Sequence, residues 1–129
     1  MAFEWIPFDK SLPDKSEIGQ IARALDIDRA NAVLGCLRVW AWVDDHVDEP
    51  TKVGDALVDG ATLEDLDYHA RIDGFGQAMS QTRPGPWVRS DGQGLIFPNA
   101  DRWMTRSAKR RLREKDKKRR QRERDTPPD

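Results

Sequence analysis

The last 24 residues of the chain, from Arg106 onward, contain 12 Lys and Arg, 5 Asp and Glu, and only two apolar side chains, Ala108 and Leu112. A segment of that composition cannot bury a face, so any folded core must come from residues 1–105. Those residues carry the opposite balance, 10 basic against 18 acidic. The formal net charge of −1 over 129 residues is therefore the difference between a body at −8 and a tail at +7. Such asymmetry points to a polyanionic partner, either nucleic acid or a membrane surface. A body of about 105 residues is large enough to bury one modest core. Residues 1–105 are read as one domain, and 106–129 as a basic tail that is disordered or helical and mobile unless bound.

Several classes are excluded early. No run of about 18 apolar residues exists, so no membrane-spanning helix is expected. The opening MAFEWIPFDK holds two acids and no basic n-region, so no secretory signal is expected either. A single cysteine, Cys36, cannot form an internal disulfide or a multi-cysteine zinc site, and it reads as a small apolar core residue. A cytoplasmic location is the default. The acidic run Asp44-Asp45-His46-Val47-Asp48-Glu49 invites a divalent cation, but consecutive residues at a helix end do not converge on one point. His69 reads as a helix-surface or partly packed side chain. No GxSxG, HExxH, P-loop or GxGxxG pattern occurs. The expectation is a non-enzyme with no cofactor and no metal.

The body reads as helices followed by a hairpin. Phe3 and Trp5 alternate with Glu4 and Ile6, as in a short strand ended near Pro7. Asp14 and Glu17 have the spacing of a capping box before Ile18, Ile21, Ala22 and Leu25, one helical face. Asp28 caps a second helix over Arg29–His46, with Val33, Leu37, Trp40 and Ala41 as its main stripe and Leu34 and Val43 broadening it. Residues Val47–Gly60 read as an acidic loop with at most a helical turn near Asp55–Val58. Thr62 caps a third helix over Leu63–Arg71, with Leu63, Leu66 and Ala70 inward. A short fourth helix over Asp73–Gln81 buries Phe75, Ala78 and Met79 and ends at Pro84-Gly85-Pro86. Trp87-Val88-Arg89 and Leu95-Ile96-Phe97 flank Asp91-Gly92, a hairpin signal, and Trp87, Leu95 and Phe97 cover the helices. The fold class is mainly α with a small β-hairpin, the order of a winged helix-turn-helix.

The residues suited to phosphate lie mostly in the tail: Arg106, Lys109, Arg110, Arg111, Arg113, Lys115, Lys117, Lys118, Arg119, Arg120, Arg122 and Arg124. Each neutralised phosphate releases counterion, so affinity falls steeply with salt. The tail has no aromatic residue to stack on single-stranded bases and no apolar face to enter a membrane. It supplies affinity, not sequence readout. In the hairpin, Arg89, Ser90 and Gln93 can touch phosphate or sugar. Two helix-turn-helix placements fit. One runs through Asp26–Asp28 and exposes Arg29, Asn31 and Arg38. The other runs through Ile72–Gly74 and exposes Arg71, Gln77, Ser80, Gln81 and Arg83. The second is favoured because it stands directly before the hairpin.

Three stretches, FEWIPFDKSLPDKSEI, IARALDIDRANAVLGCLRVWAWVDDH and LIFPNADRWMTRSAKRRLREKDKKRR, carry a resemblance. The chain resembles the N-terminal winged-helix domains of phage replisome-organiser and replication-initiator proteins and their prophage relatives. That resemblance implies DNA binding, duplex or branched, near replication initiation, with replication proteins as partners. The acidic body departs from the family pattern. Two other readings stand beside it: an adaptor that meets a protein through the acidic body, and RNA binding through the Arg/Lys-rich tail. No long heptad run suggests a coiled coil, so a monomer is expected.

Overall fold

A computed structural model describes residues 9–47, 54–98 and 106–125, with side chains in the last stretch described from 114 to 124. It is mainly helical with one small antiparallel sheet. The elements are α1 (Ser16–Leu25), α2 (Arg29–His46), β1 (Ala56–Asp59), α3 (Leu63–Ala70), α4 (Phe75–Ser80), β2 (Arg89–Ser90), β3 (Gly94–Phe97) and α5 (Arg106–Asp125), with a 3-10 turn at Leu12–Asp14 before α1. The strand expected through Phe3 and Trp5 lies outside the described residues. No helix among the described residues is long and apolar enough to cross a membrane.

Local chemistry accounts for most boundaries. Asp28 caps α2 by accepting from the Asn31 N–H at 2.7 Å. At the start of α3 the Asp65 carboxylate accepts from the Thr62 N–H at 2.8 Å, the reach-back half of a capping box. Arg71 then leaves the helix in the left-handed region at φ 61°. The start of α1 differs from expectation. Its N-cap is Lys15, with no side-chain cap, because Asp14 is already inside the 3-10 turn.

The buried face of α2 is also rotated from the expected stripe. Ala32, Gly35, Cys36, Val39, Trp40 and Val43 are buried, while Val33 and Leu37 are half-buried and Leu34 and Ala41 are exposed. Small residues face the core because neighbours come close on this side. A Cβ at Gly35 would lie 2.5 Å from Cε2 of Phe75, the first residue of α4. The core itself gathers Ile18 and Ile21 from α1, Val39 and Val43 from α2, Leu66 from α3, Phe75 and Met79 from α4, and Leu95 and Phe97 from β3, all essentially solvent-free. Each such side chain contributes about 1.5–3 kcal/mol of burial. Trp87 packs over Trp40 with ring centroids 5.7 Å apart.

The sheet corrects the reading of Val47–Gly60 as a loop. Ala56–Asp59 is a strand, β1, and it pairs antiparallel with β3 in the register Ala56↔Phe97 and Val58↔Leu95. The strand order is β1-β3-β2, so the hairpin strand β3 is central. Ala56 and Val58 are buried and Asp59 is exposed, the alternation of a strand with one covered face. The β2 strand is shorter than expected, only Arg89–Ser90 against Ile96 and Leu95. Val88, just before it, is buried.

Candidate nucleic-acid interface

The turn between α3 and α4 is built by one carboxylate. Asp67, half-buried on α3, accepts from the Gly76 N–H at 2.8 Å and from the Gly74 N–H at 2.9 Å. It thereby satisfies two donors at the start of α4 and fixes the direction in which that helix leaves α3. Gly74 sits at φ 81°, a conformation that favours glycine. Gly76 is pressed onto the backbone of Leu63, and a Cβ there would collide with the Leu63 carbonyl oxygen. With Phe75, Ala78 and Met79 buried, α4 turns Gln77 outward, and Gln81 is exposed just beyond its end.

Arg83 follows on an exposed loop that is clamped from behind. The Gln20 side chain of α1 donates to the Arg83 carbonyl at 2.9 Å and accepts from the Arg83 N–H at 2.8 Å. The Arg83 backbone is fixed. Gln77, Gln81 and Arg83 therefore lie on successive exposed positions of one rigidly anchored segment.

The α3 side is electrostatically different. Arg71 is exposed, but it shares an open depression with Glu64, Asp67 and Asp73, together with Tyr68 and His69. Three carboxylates around one guanidinium give a surface of the wrong sign for phosphate. Tyr68 is 78% exposed. Beside it His69 stacks on Trp42 with centroids 4.6 Å apart, and His46 meets the same indole at 5.1 Å.

Of the residues expected outward at the α1–α2 placement, Arg29 and Asn31 are exposed and Arg38 is half-buried. Around the α1–α2 turn, the Arg29 guanidinium donates to the carbonyls of Pro13 and Lys15, at 3.0–3.1 Å. Arg38 is half-buried and donates to the Ala70 carbonyl at the end of α3, 3.3 Å away. Both arginines are engaged with the protein itself. At the α3–α4 placement Gln77, Gln81 and Arg83 are outward, but Ser80, expected on the same face, is half-buried and its hydroxyl donates to the Gln77 carbonyl at 2.7 Å.

In the hairpin, Arg89 and Gln93 are exposed. Arg89 reaches Asp55 at 3.4 Å, a partly exposed ion pair that shares its charge with the protein. Asp91 folds the turn by accepting from the N–H groups of Gln93 and Gly94, at 2.7 and 3.0 Å. The Gln93 carbonyl accepts from the Gly60 N–H at 2.7 Å, which ties the turn to the end of β1.

The basic tail is the helix α5. Its described side chains include Lys115, Lys117, Lys118, Arg119, Arg120, Arg122 and Arg124, all exposed, against three acids, Glu114, Asp116 and Glu123. Arg119 and Arg120 both bond Asp116, at 2.7 and 3.1 Å. Arg106, Lys109, Arg110, Arg111 and Arg113 occupy the first turns of the same helix.

Two structural residues escaped the sequence reading. Asp67 and Gln20 match no sequence motif, because both act on backbone groups brought near only by folding. Among the described residues, no three His, Cys, Asp or Glu side chains are grouped to hold a metal ion. Cys36 is buried, and burial pushes its thiol pKa far above the ordinary range. No protein-family model, curated protein or solved structure matches the chain.

Proposed function

We propose that this chain is a winged-helix protein that binds duplex DNA, with α5 gripping phosphates and the exposed end of α4 facing the groove. The succession α2–β1–α3–α4–β2–β3, with β3 central between β1 and β2, is the order of a winged helix and supports that reading. The observation that carries DNA binding is α5, a helix with seven exposed cations and three acids among its described side chains. Gln77 and Gln81 are exposed amides able to pair with adenine edges, and Arg83 and Arg89 are exposed cations able to contact phosphate. A setting in replication initiation rests on the sequence resemblance alone.

An electrophoretic shift of a duplex across a salt series tests the reading. Full-length protein shifts the duplex at low salt and loses it steeply as salt rises. Absence of any shift at low salt rejects DNA binding. A shift unchanged on deleting 106–129 removes α5 from it.

The acidic depression with its exposed Tyr68 favours a second reading, an adaptor whose α3 side meets a basic protein surface. The two separate at Gln77 and Gln81. Under the first reading, replacing both with Ala narrows the difference in affinity between DNA sequences. Under the second, wild type and variant alike bind all DNA sequences equally or not at all.

A further inference from the structure

The cations of α5 are not spread evenly around the helix. Residues advance by about 100° each, so Lys117, Arg120 and Arg124 share one stripe. Lys115, Lys118 and Arg122 share a second stripe, roughly 160° away from the first. Between them run two seams. One holds Asp116 and Glu123, with Arg119 between them and the second stripe, and the other holds Glu114 and Gln121. The same spacing continues in the sequence at Arg113, Arg110 and Arg106 for the first stripe and at Arg111 for the second.

A partner that presents one anionic surface uses one cationic stripe and leaves the other in solvent. Two opposed stripes suit a ligand with two anionic walls. The major groove of B-form DNA is about 12 Å wide with phosphates on both sides, and an α-helix with side chains is about 10–12 Å across. The three acids then point along the depth of the groove, away from both walls. Asp116 is already held by Arg119 and Arg120, and a guanidinium keeps further N–H donors for phosphate. The major groove of A-form RNA is too narrow for this arrangement, and α5 has no aromatic side chain for single-stranded bases.

We infer that α5 lies in the major groove of duplex DNA, with Lys117, Arg120 and Arg124 on one phosphate wall and Lys115, Lys118 and Arg122 on the other. The inference rests on the DNA-binding reading above and specifies the form of nucleic acid and the groove.

Two triple variants of the full chain test it, Lys117→Gln/Arg120→Gln/Arg124→Gln and Lys115→Gln/Lys118→Gln/Arg122→Gln. Binding of a 20-base-pair duplex DNA, the matching duplex RNA and one single DNA strand is measured by anisotropy from low to moderate salt. Protection of guanine N7 from methylation at saturating protein, compared between wild type and the two variants, separates occupancy of the groove by α5 from any contact by the end of α4. Wild type binds duplex DNA most tightly and protects N7 more than either variant does. Each variant lowers the salt slope on duplex DNA by about 2.7, the loss of three phosphate contacts. If one variant keeps the wild-type slope, the two-wall arrangement is overturned while DNA binding stands. Duplex RNA or single strands bound as tightly as duplex DNA, or guanine N7 protected no better by wild type than by the variants, overturns the groove assignment. If wild type ignores the DNA duplex at low salt, both this inference and the DNA-binding reading are lost.

Discussion

Asp67 and Gly76, nine positions apart, are joined by a 2.8 Å hydrogen bond from the Gly76 N–H to Oδ1 of Asp67. The second carboxylate oxygen holds the Gly74 N–H at 2.9 Å. One side chain thus sets the angle between α3 and α4. Asp67→Ala leaves both N–H groups without that partner and lowers stability by about 1–3 kcal/mol. Asp67→Asn, which keeps an acceptor oxygen but not the charge, costs less. Urea unfolding followed by tryptophan fluorescence measures both. Equal stability of Asp67→Ala and wild type would show that the bonds carry no weight.

Gly76 gives a steric test of the same junction. Gly76→Ala drives a methyl group into the Leu63 backbone, so the two helices must part. The expected loss is about 1–3 kcal/mol, as for an overpacked core. Gly92, at the hairpin turn, has open space where a Cβ would stand. Gly92→Ala is expected to stay within about 0.5 kcal/mol of wild type. Thermal unfolding of the pair checks the contrast.

Cys36 reports on the core from inside. Its thiol is buried and its pKa is pushed far upward, so thiolate is scarce at pH 8. A chromogenic disulfide reagent reacts negligibly with native protein. In rising urea, the labelled fraction follows the fluorescence transition. Rapid labelling without denaturant contradicts the packing of α2 described above.

The Arg89–Asp55 pair bears on the hairpin. Asp55 is mostly covered, while the Arg89 side chain is about half exposed. Asp55→Asn removes a carboxylate that competes with phosphate for Arg89. DNA affinity at low salt should rise about two- to fivefold, the scale of one surface ion pair. Unchanged affinity places Arg89 away from the DNA.

Much of this architecture could be read from the chain alone, for reasons that are local. The α2 limits at Arg29 and His46 and its Asp28 cap follow from side chains adjacent in sequence. The same holds for Thr62 and Asp65 at α3. The β1 strand was missed because it offers only Ala56 and Val58 to the core, and its partner β3 lies far along the chain. The buried face of α2 differs from the apolar stripe because close packing favours Ala32 and Gly35, which carry little hydrophobic signal. At the candidate interface, exposure of Gln77, Gln81 and Arg83 followed from the apolar spacing of α4. The carboxylates crowding Arg71 did not, since a residue in the left-handed region points where no helical period predicts.

Gln20 holds both the N–H and the carbonyl of Arg83, so it stands in for a neighbouring peptide strand. A strand mimic of that kind recognises one residue in one register. Lengthening the loop by a single amino acid before Arg83 would offer Gln20 the wrong peptide, and the first helix would lose its grip on the segment behind α4. Length variation between related chains should therefore be absent around Thr82–Pro84 and tolerated at the Asp91–Gln93 turn.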